Sequence, residues 1–271
     1  MSFISNMITF QGNKELLKSA KLLESNSRNL YPHLSTSRVR KIIGYDVEND
    51  PKFFSEMKKE YTGARKMIRE SGDYYAALVY SLMFGRVGNC TEDSMLTELL
   101  GKINGQKNIY TGSLGLKQED KSGAINHVVA FITDKPLTAG KEEFFKNKEA
   151  IIIDPWLGIT DFAGSYFTKL KTIYRKVFMQ ENNKRFVTFS DDNLVMELLK
   201  SMSNTTQEFK ANRKEFCPTV NISITPFIDN SFNEEKIESI KETFPNLVLK
   251  GFKKILLPEK EEKTGKKDMI A

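Results

Sequence analysis

The chain has 271 residues, 39% hydrophobic and 28% charged, with 19 Phe, 9 Tyr and 1 Trp. That length holds one large domain or two small ones, and the aromatic content, with no low-complexity or collagen-like repeat, excludes a disordered or fibrous chain. The net charge of +6 is no nucleic-acid signature: residues 1–72 carry 13 basic and 8 acidic groups and residues 73–175 carry 12 of each, while Arg38, Arg40, Lys41, Lys58 and Lys59 are mixed with acids and follow no nucleic-acid-binding motif.

Lys14 to Glu24 places Leu16, Leu17, Ala20 and Leu23 at helical spacing, and Phe53, Met57, Tyr61, Ala64 and Ile68 repeat it behind Pro51. Asp73 is placed to cap a third helix through Ala76, Ala77, Val79 and Tyr80 to Phe84, closed by Gly85. A fourth starts at Cys90, behind Gly88 and Asn89, and runs to Gly101. The glycines and polar residues from Gly101 to Ala124 predict a loop or weak strands. His127 to Thr133 and Ala150 to Asp154 are β-branched and apolar and predict central strands, joined by a lysine-rich, solvent-facing connection that contains Pro136 and Gly140. Tyr166 to Val177 fits a strand or a helix, Ser190 to Met202 and Asn233 to Phe244 have helical spacing, and Thr219 to Phe227 reads as a strand. The predicted class is α+β, with an N-terminal helical region at 1–72, a core at 73–180, a C-terminal recognition or extension region at 181–257 and a charged, mobile tail at 258–271.

The longest apolar stretch, Ala76 to Phe84, falls far short of the ~20 residues of a membrane-spanning helix. Met1 to Phe10 lacks the basic region and cleavage site of a secretory signal. Two cysteines, Cys90 and Cys217, form at most one disulfide and point to a reducing workplace. Two histidines and two cysteines without paired spacing give no zinc pattern, and no glycine-rich phosphate loop is present, so neither a metal nor a nucleotide cofactor is expected. Cys217, before Pro218, reads as a buried or incidental thiol, and His33 as a loop residue.

The remaining cysteine and histidine form the one constellation with chemistry in it. A thiolate is the reactive form of cysteine, and a helix N-terminus, with its unpaired N–H groups and positive dipole end, favours that anion. Cys90 has this position, and its own N–H is a candidate oxyanion donor. If the strands at 127–133 and 150–154 pair as an antiparallel hairpin, His127 and Asp154 become cross-strand neighbours. Each residue also has an ordinary reading: a structural cysteine, a satisfied core histidine, an aspartate that starts a turn. Their order and their elements together favour a nucleophile, a base and an orienting carboxylate. Trp156 is either a core aromatic or a wall that shields the His127–Asp154 bond from water.

Gly88-Asn89-Cys90, His127-Val128-Val129 and Ile153-Asp154-Pro155-Trp156 resemble papain-like cysteine enzymes, in which a helix-starting cysteine is followed by a strand histidine and a strand-end Asn or Asp. Asp-Pro-Trp after a short apolar strand is especially similar to bacterial toxins and translocated effectors of this fold: glutamine deamidases, effector proteases and transglutaminase-like enzymes. The resemblance covers roughly residues 73–175. It implies acyl transfer through a Cys90 thioester, a host protein as substrate, no cofactor, and delivery into a host cytosol by a non-classical route. Papain places an oxyanion-hole glutamine six residues before its cysteine, where this chain has Phe84, which leaves Asn89 and Gln106 as candidates for the second donor.

Overall fold

The computed structural model describes residues 2–30, 66, 70, 90–118, 121–181, 221–227 and 233–257. The expected helices at 73–84 and 190–202, Phe84, Asn89, His33, Cys217 and the tail lie outside these residues; of the helix expected at 53–68 only Lys66 is described, helical and paired with Glu70 at 3.7 Å.

In chain order the elements are α1 (Ser2–Leu30), α2 (Cys90–Ile103), β1 (Ile109–Gln118), β2 (Lys121–Thr133), β3 (Ala150–Asp154), β4 (Ile159–Phe162), α3 (Ala163–Glu181), β5 (Asn221–Phe227) and α4 (Glu234–Thr243), followed by a 3₁₀ turn at Pro245–Leu247. The strands form one antiparallel sheet in the order β4-β3-β2-β1-β5. The chain is thus α+β, with four α-helices among the described residues.

Strand alternation sorts the core into two layers, one on each face of the sheet. Ala130, Ile132, Ile151 and Ile153 pack with Leu96, Leu99, Leu100 and Ile103 of α2, Ala20 and Leu23 of α1, and Ile237 and Ile240 of α4. Val129, Phe131, Ala150 and Ile152, one residue out of phase, pack with Tyr166, Phe167 and Leu170 of α3. α2 runs between α1, α4 and the sheet, and all its residues except Thr91 and Lys102 are buried.

The glycine-rich stretch from Gly101 to Ala124, predicted as a loop or weak strands, takes the strand alternative: it holds the ten-residue strand β1 and the start of β2. Gly112 shows why: a Cβ there would lie 2.7 Å from Ile224 Cγ2 and 2.8 Å from the Thr225 carbonyl oxygen, so this glycine permits the close approach of β5. The ambiguous segment from Tyr166 is helix, within α3. Asn233 caps α4 by accepting from the Lys236 N–H at 2.9 Å, and Gly105 takes φ 85 after α2.

One irregularity positions the site. The β1–β2 ladder pairs Ser113 with Val128 and then Gly115 with Ala124, so three residues of β2, Ile125, Asn126 and His127, oppose the single Leu114. This bulge lets β2 leave the regular ladder at His127.

The described residues on either side of the central segment are built into the same body. β5 pairs with β1 along seven residues, and Ile237, Ile240, Leu247, Ile255 and Leu257 enter the core beneath α2. From the N-terminal side, Ser27 Oγ donates to the Asp93 carbonyl at 3.0 Å, and Thr160 Oγ1 donates to Glu24 at 2.6 Å.

Candidate active site

Cys90 is the first residue of α2, with Glu92 and Asp93 in the same turn, where acidic residues suit the positive end of the helix. The helix is tied to β2 here, since Ser94, one turn beyond Cys90, donates its hydroxyl to the Val128 carbonyl at 3.0 Å. Cys90 is thereby held beside the residue that closes the bulge, and its side chain hydrogen-bonds with His127.

His127 is 3% exposed, and its Nε2 lies 2.7 Å from Asp154 Oδ2. With Nε2 so engaged, Nδ1 is the ring nitrogen left for Cys90. The register modifies the expected cross-strand geometry. The β2–β3 pairs end at Ala130 with Ile153, so a regular continuation would set Val129, not His127, opposite Asp154. His127 is two residues further along and reaches the carboxylate diagonally, a separation within reach of a long or aromatic side chain.

Asp154 is fully buried and divides its oxygens between two tasks. Oδ1 accepts the Leu157 N–H at 3.0 Å and closes the turn after β3, in which Gly158 takes φ 66. Oδ2 accepts from His127 and from the Tyr166 hydroxyl, each at 2.7 Å. Three donors satisfy a carboxylate that would be costly to bury alone.

Burial is the largest influence on His127 and works against its charged form. The Asp154 carboxylate and its hydrogen bond, with the hydrogen bond and charge of Cys90, outweigh it and push the imidazolium up to about 10. The ring therefore carries its proton at neutral pH, bonded on one side to a carboxylate and on the other to sulfur. Trp156 is part-buried, with its ring centroid 5.2 Å from that of His127 and the planes tilted by 51°, so it covers one side of the imidazole.

Gln106 is not part of this cluster. Its Nε2 donates to the Ile255 carbonyl at 3.0 Å and its Oε1 accepts the Ile255 N–H at 2.8 Å. It lies past the C-terminal end of the 14-residue α2, about 20 Å of helix from Cys90. Its amide clamps the C-terminal segment, and both groups a substrate would use are already bonded. Tyr166 and Ser94 are the site residues that sequence reasoning passes over. Tyr166 lies in the segment whose period leaves strand and helix open, and the contact of Ser94 is with a backbone atom, for which composition carries no signal.

An open cleft of about 770 Å³ at the start of α3, lined by Lys148, Phe162, Ser165, Thr168 and Lys169 among others, includes none of Cys90, His127 and Asp154. Among the described residues no group of three or more His, Cys, Asp or Glu is placed to hold a metal ion, and no helix is long and apolar enough to cross a membrane. No protein-family model, curated protein or solved structure matches this chain.

Proposed function

We propose that the protein is a papain-like cysteine enzyme that transfers acyl groups through a thioester on Cys90, and that its reaction is the deamidation of a glutamine side chain on a host protein. The observation that carries this reading is the buried chain of contacts from Cys90 to His127 to Asp154, with Nε2 and Oδ2 2.7 Å apart.

In the proposed mechanism the charged His127 is the counter-ion of a Cys90 thiolate. Sulfur attacks the carboxamide carbon, and the Cys90 N–H at the start of α2 faces the oxyanion that forms. His127 gives its proton to the departing nitrogen, ammonia leaves, and the acyl group remains on sulfur. Neutral His127 then takes a proton from water, whose oxygen attacks the thioester. Cys90 departs as thiolate, and the glutamine has become glutamate. Asp154 holds the ring in one orientation and stabilises its charge throughout. The same intermediate formed from a peptide bond gives proteolysis, and its capture by a lysine amine gives a cross-link. With Gln106 committed to Ile255, the Cys90 N–H is the oxyanion donor this reading assigns. Delivery into a host cytosol as a translocated effector follows from the resemblance of Asp154-Pro155-Trp156 to such proteins.

The test is mass spectrometry of candidate host proteins incubated with the wild type and with Cys90→Ala. A gain of one mass unit on glutamine with the wild type alone supports deamidation; a cut or a cross-link assigns the same triad to the other reactions. Iodoacetamide supplies a substrate-free check, because Cys90 should be alkylated faster than Cys217 at neutral pH. A Cys90 no faster than a free thiol would make this a non-catalytic interaction protein.

A further inference from the structure

Asp154 Oδ2 receives two donors, and only one of them belongs to the proposed triad. The other is the hydroxyl of Tyr166, 2.7 Å away, from a side chain that is itself fully buried. Tyr166 is held independently of Asp154. It sits in the first turn of α3, its ring packs edge-on against Phe167 at 5.6 Å, and α3 is seated on the sheet through Phe167 and Leu170. A donor fixed by its own helix is preorganised: the carboxylate must come to it.

The second donor on this oxygen acts on His127 in two ways. The second bond restricts rotation of the carboxylate, which keeps the imidazole aimed at Cys90. It also draws charge from the oxygen that attracts the imidazolium. An imidazolium held too tightly is a poor acid toward a leaving group, so a partner that takes a share of the carboxylate's charge favours proton release.

We propose that Tyr166 is a positioning residue of this site: its hydroxyl shares the Asp154 oxygen that holds His127, so that the imidazole stays oriented and remains able to give up its proton. This rests on the thioester reading above and deepens it, assigning the balance between base and acid to a residue outside the Cys-His-Asp set. A buried tyrosine that only satisfies its own hydroxyl would fill the same space without tuning His127.

The experiment is an NMR titration of the full chain labelled in histidine. The sequence has two histidines, His33 and His127, so a His33→Gln variant assigns both ring resonances. Tyr166→Phe removes the hydroxyl and keeps the ring. The positive end of the O–H dipole no longer faces the shared oxygen, and the His127 titration should move upward by about half a pH unit or more. Incorporation of 3-fluorotyrosine, whose phenol is a stronger donor, should move it downward, and this arm decides if the phenylalanine variant does not fold. An unmoved or lowered His127 titration in folded Tyr166→Phe, or an unmoved one with fluorotyrosine, overturns the assignment. Iodoacetamide separates the two levels of the argument. Fast alkylation of Cys90 beside an unmoved His127 removes Tyr166 and leaves the triad standing, whereas slow alkylation removes the triad and, with it, this role for Tyr166.

Discussion

Asp154 closes the turn after β3 with Oδ1 and bonds His127 with Oδ2, so the turn former and the partner of the proposed base use different oxygens. Under the proposed mechanism Asp154→Asn should lower turnover by roughly 10²-fold or more while changing KM little, since the side chain meets the proposed base and not the substrate. Steady-state kinetics decide this, and equal turnover would remove Asp154 from the mechanism. The His127–Asp154 pair also sets a pH dependence. The folded-state value of about 10 for His127 lies above the ~6.5 of an unfolded histidine, so its contribution to stability is complete below about pH 6.5 and is lost as the pH rises through about 10. Denaturant midpoints should fall across that window for the wild type and fall less for His127→Gln. Parallel curves would mean that the ring binds no extra proton on folding.

At the scale of elements, the seam between α2 and β2 rests on one short side chain. Ser94→Ala deletes the hydroxyl that binds the Val128 carbonyl, and should cost about 1 kcal/mol of stability while slowing Cys90 alkylation several-fold. An unchanged alkylation rate would show that core packing alone sets the approach of the helix. β1 offers a contrast far from the chemistry. Gly112→Ala forces a methyl group into Ile224 and the Thr225 carbonyl, and should cost about 1–3 kcal/mol, visible as a lower Tm, with Cys90 of the folded fraction reacting at its usual rate. This strand was hard to read in the sequence because Gly112, by residue type a breaker, serves here as a point of close strand contact. β3 and the His127–Thr133 part of β2 were plain because continuous β-branched runs have few other solutions, whereas the start of β2 shared the glycine-rich, polar pattern of β1. For the same reason the order of Cys90, His127 and Asp154 along the chain was legible, whereas the diagonal reach of His127 was not: it depends on a bulge that no local pattern announces.

For the whole molecule, residues 221–257 supply an edge strand of the sheet and part of the core under α2. Gln106 ties that C-terminal stretch to the end of α2. Its sequence position allowed an oxyanion donor, but a side-chain amide can bond both groups of a single residue's backbone, and Ile255 lies 149 positions away, beyond any local reading. A chain stopped at residue 220 loses β5, Ile255 and the buried Ile237 and Ile240, and should fail to give a protease-resistant core or a fast-reacting Cys90. One stopped at residue 257 should match the wild type in Tm and alkylation rate. A stable, reactive product ending at residue 220 would show that the residues after 220 are not needed to build the site.

The three-for-one bulge that ends at His127 also makes a statement about insertions and deletions. Removing Ile125 and Asn126 together would convert the ladder into an unbroken one and leave Gly115 facing Ala124, because a shift of two residues preserves strand parity. Removing either one alone would reverse the parity of everything before it in β2. On register alone, the sheet should tolerate the loss of this pair of residues but not of one of them. Length at this point in the chain is a property of the site: a two-residue deletion should give a folded protein whose Cys90 has lost its partner.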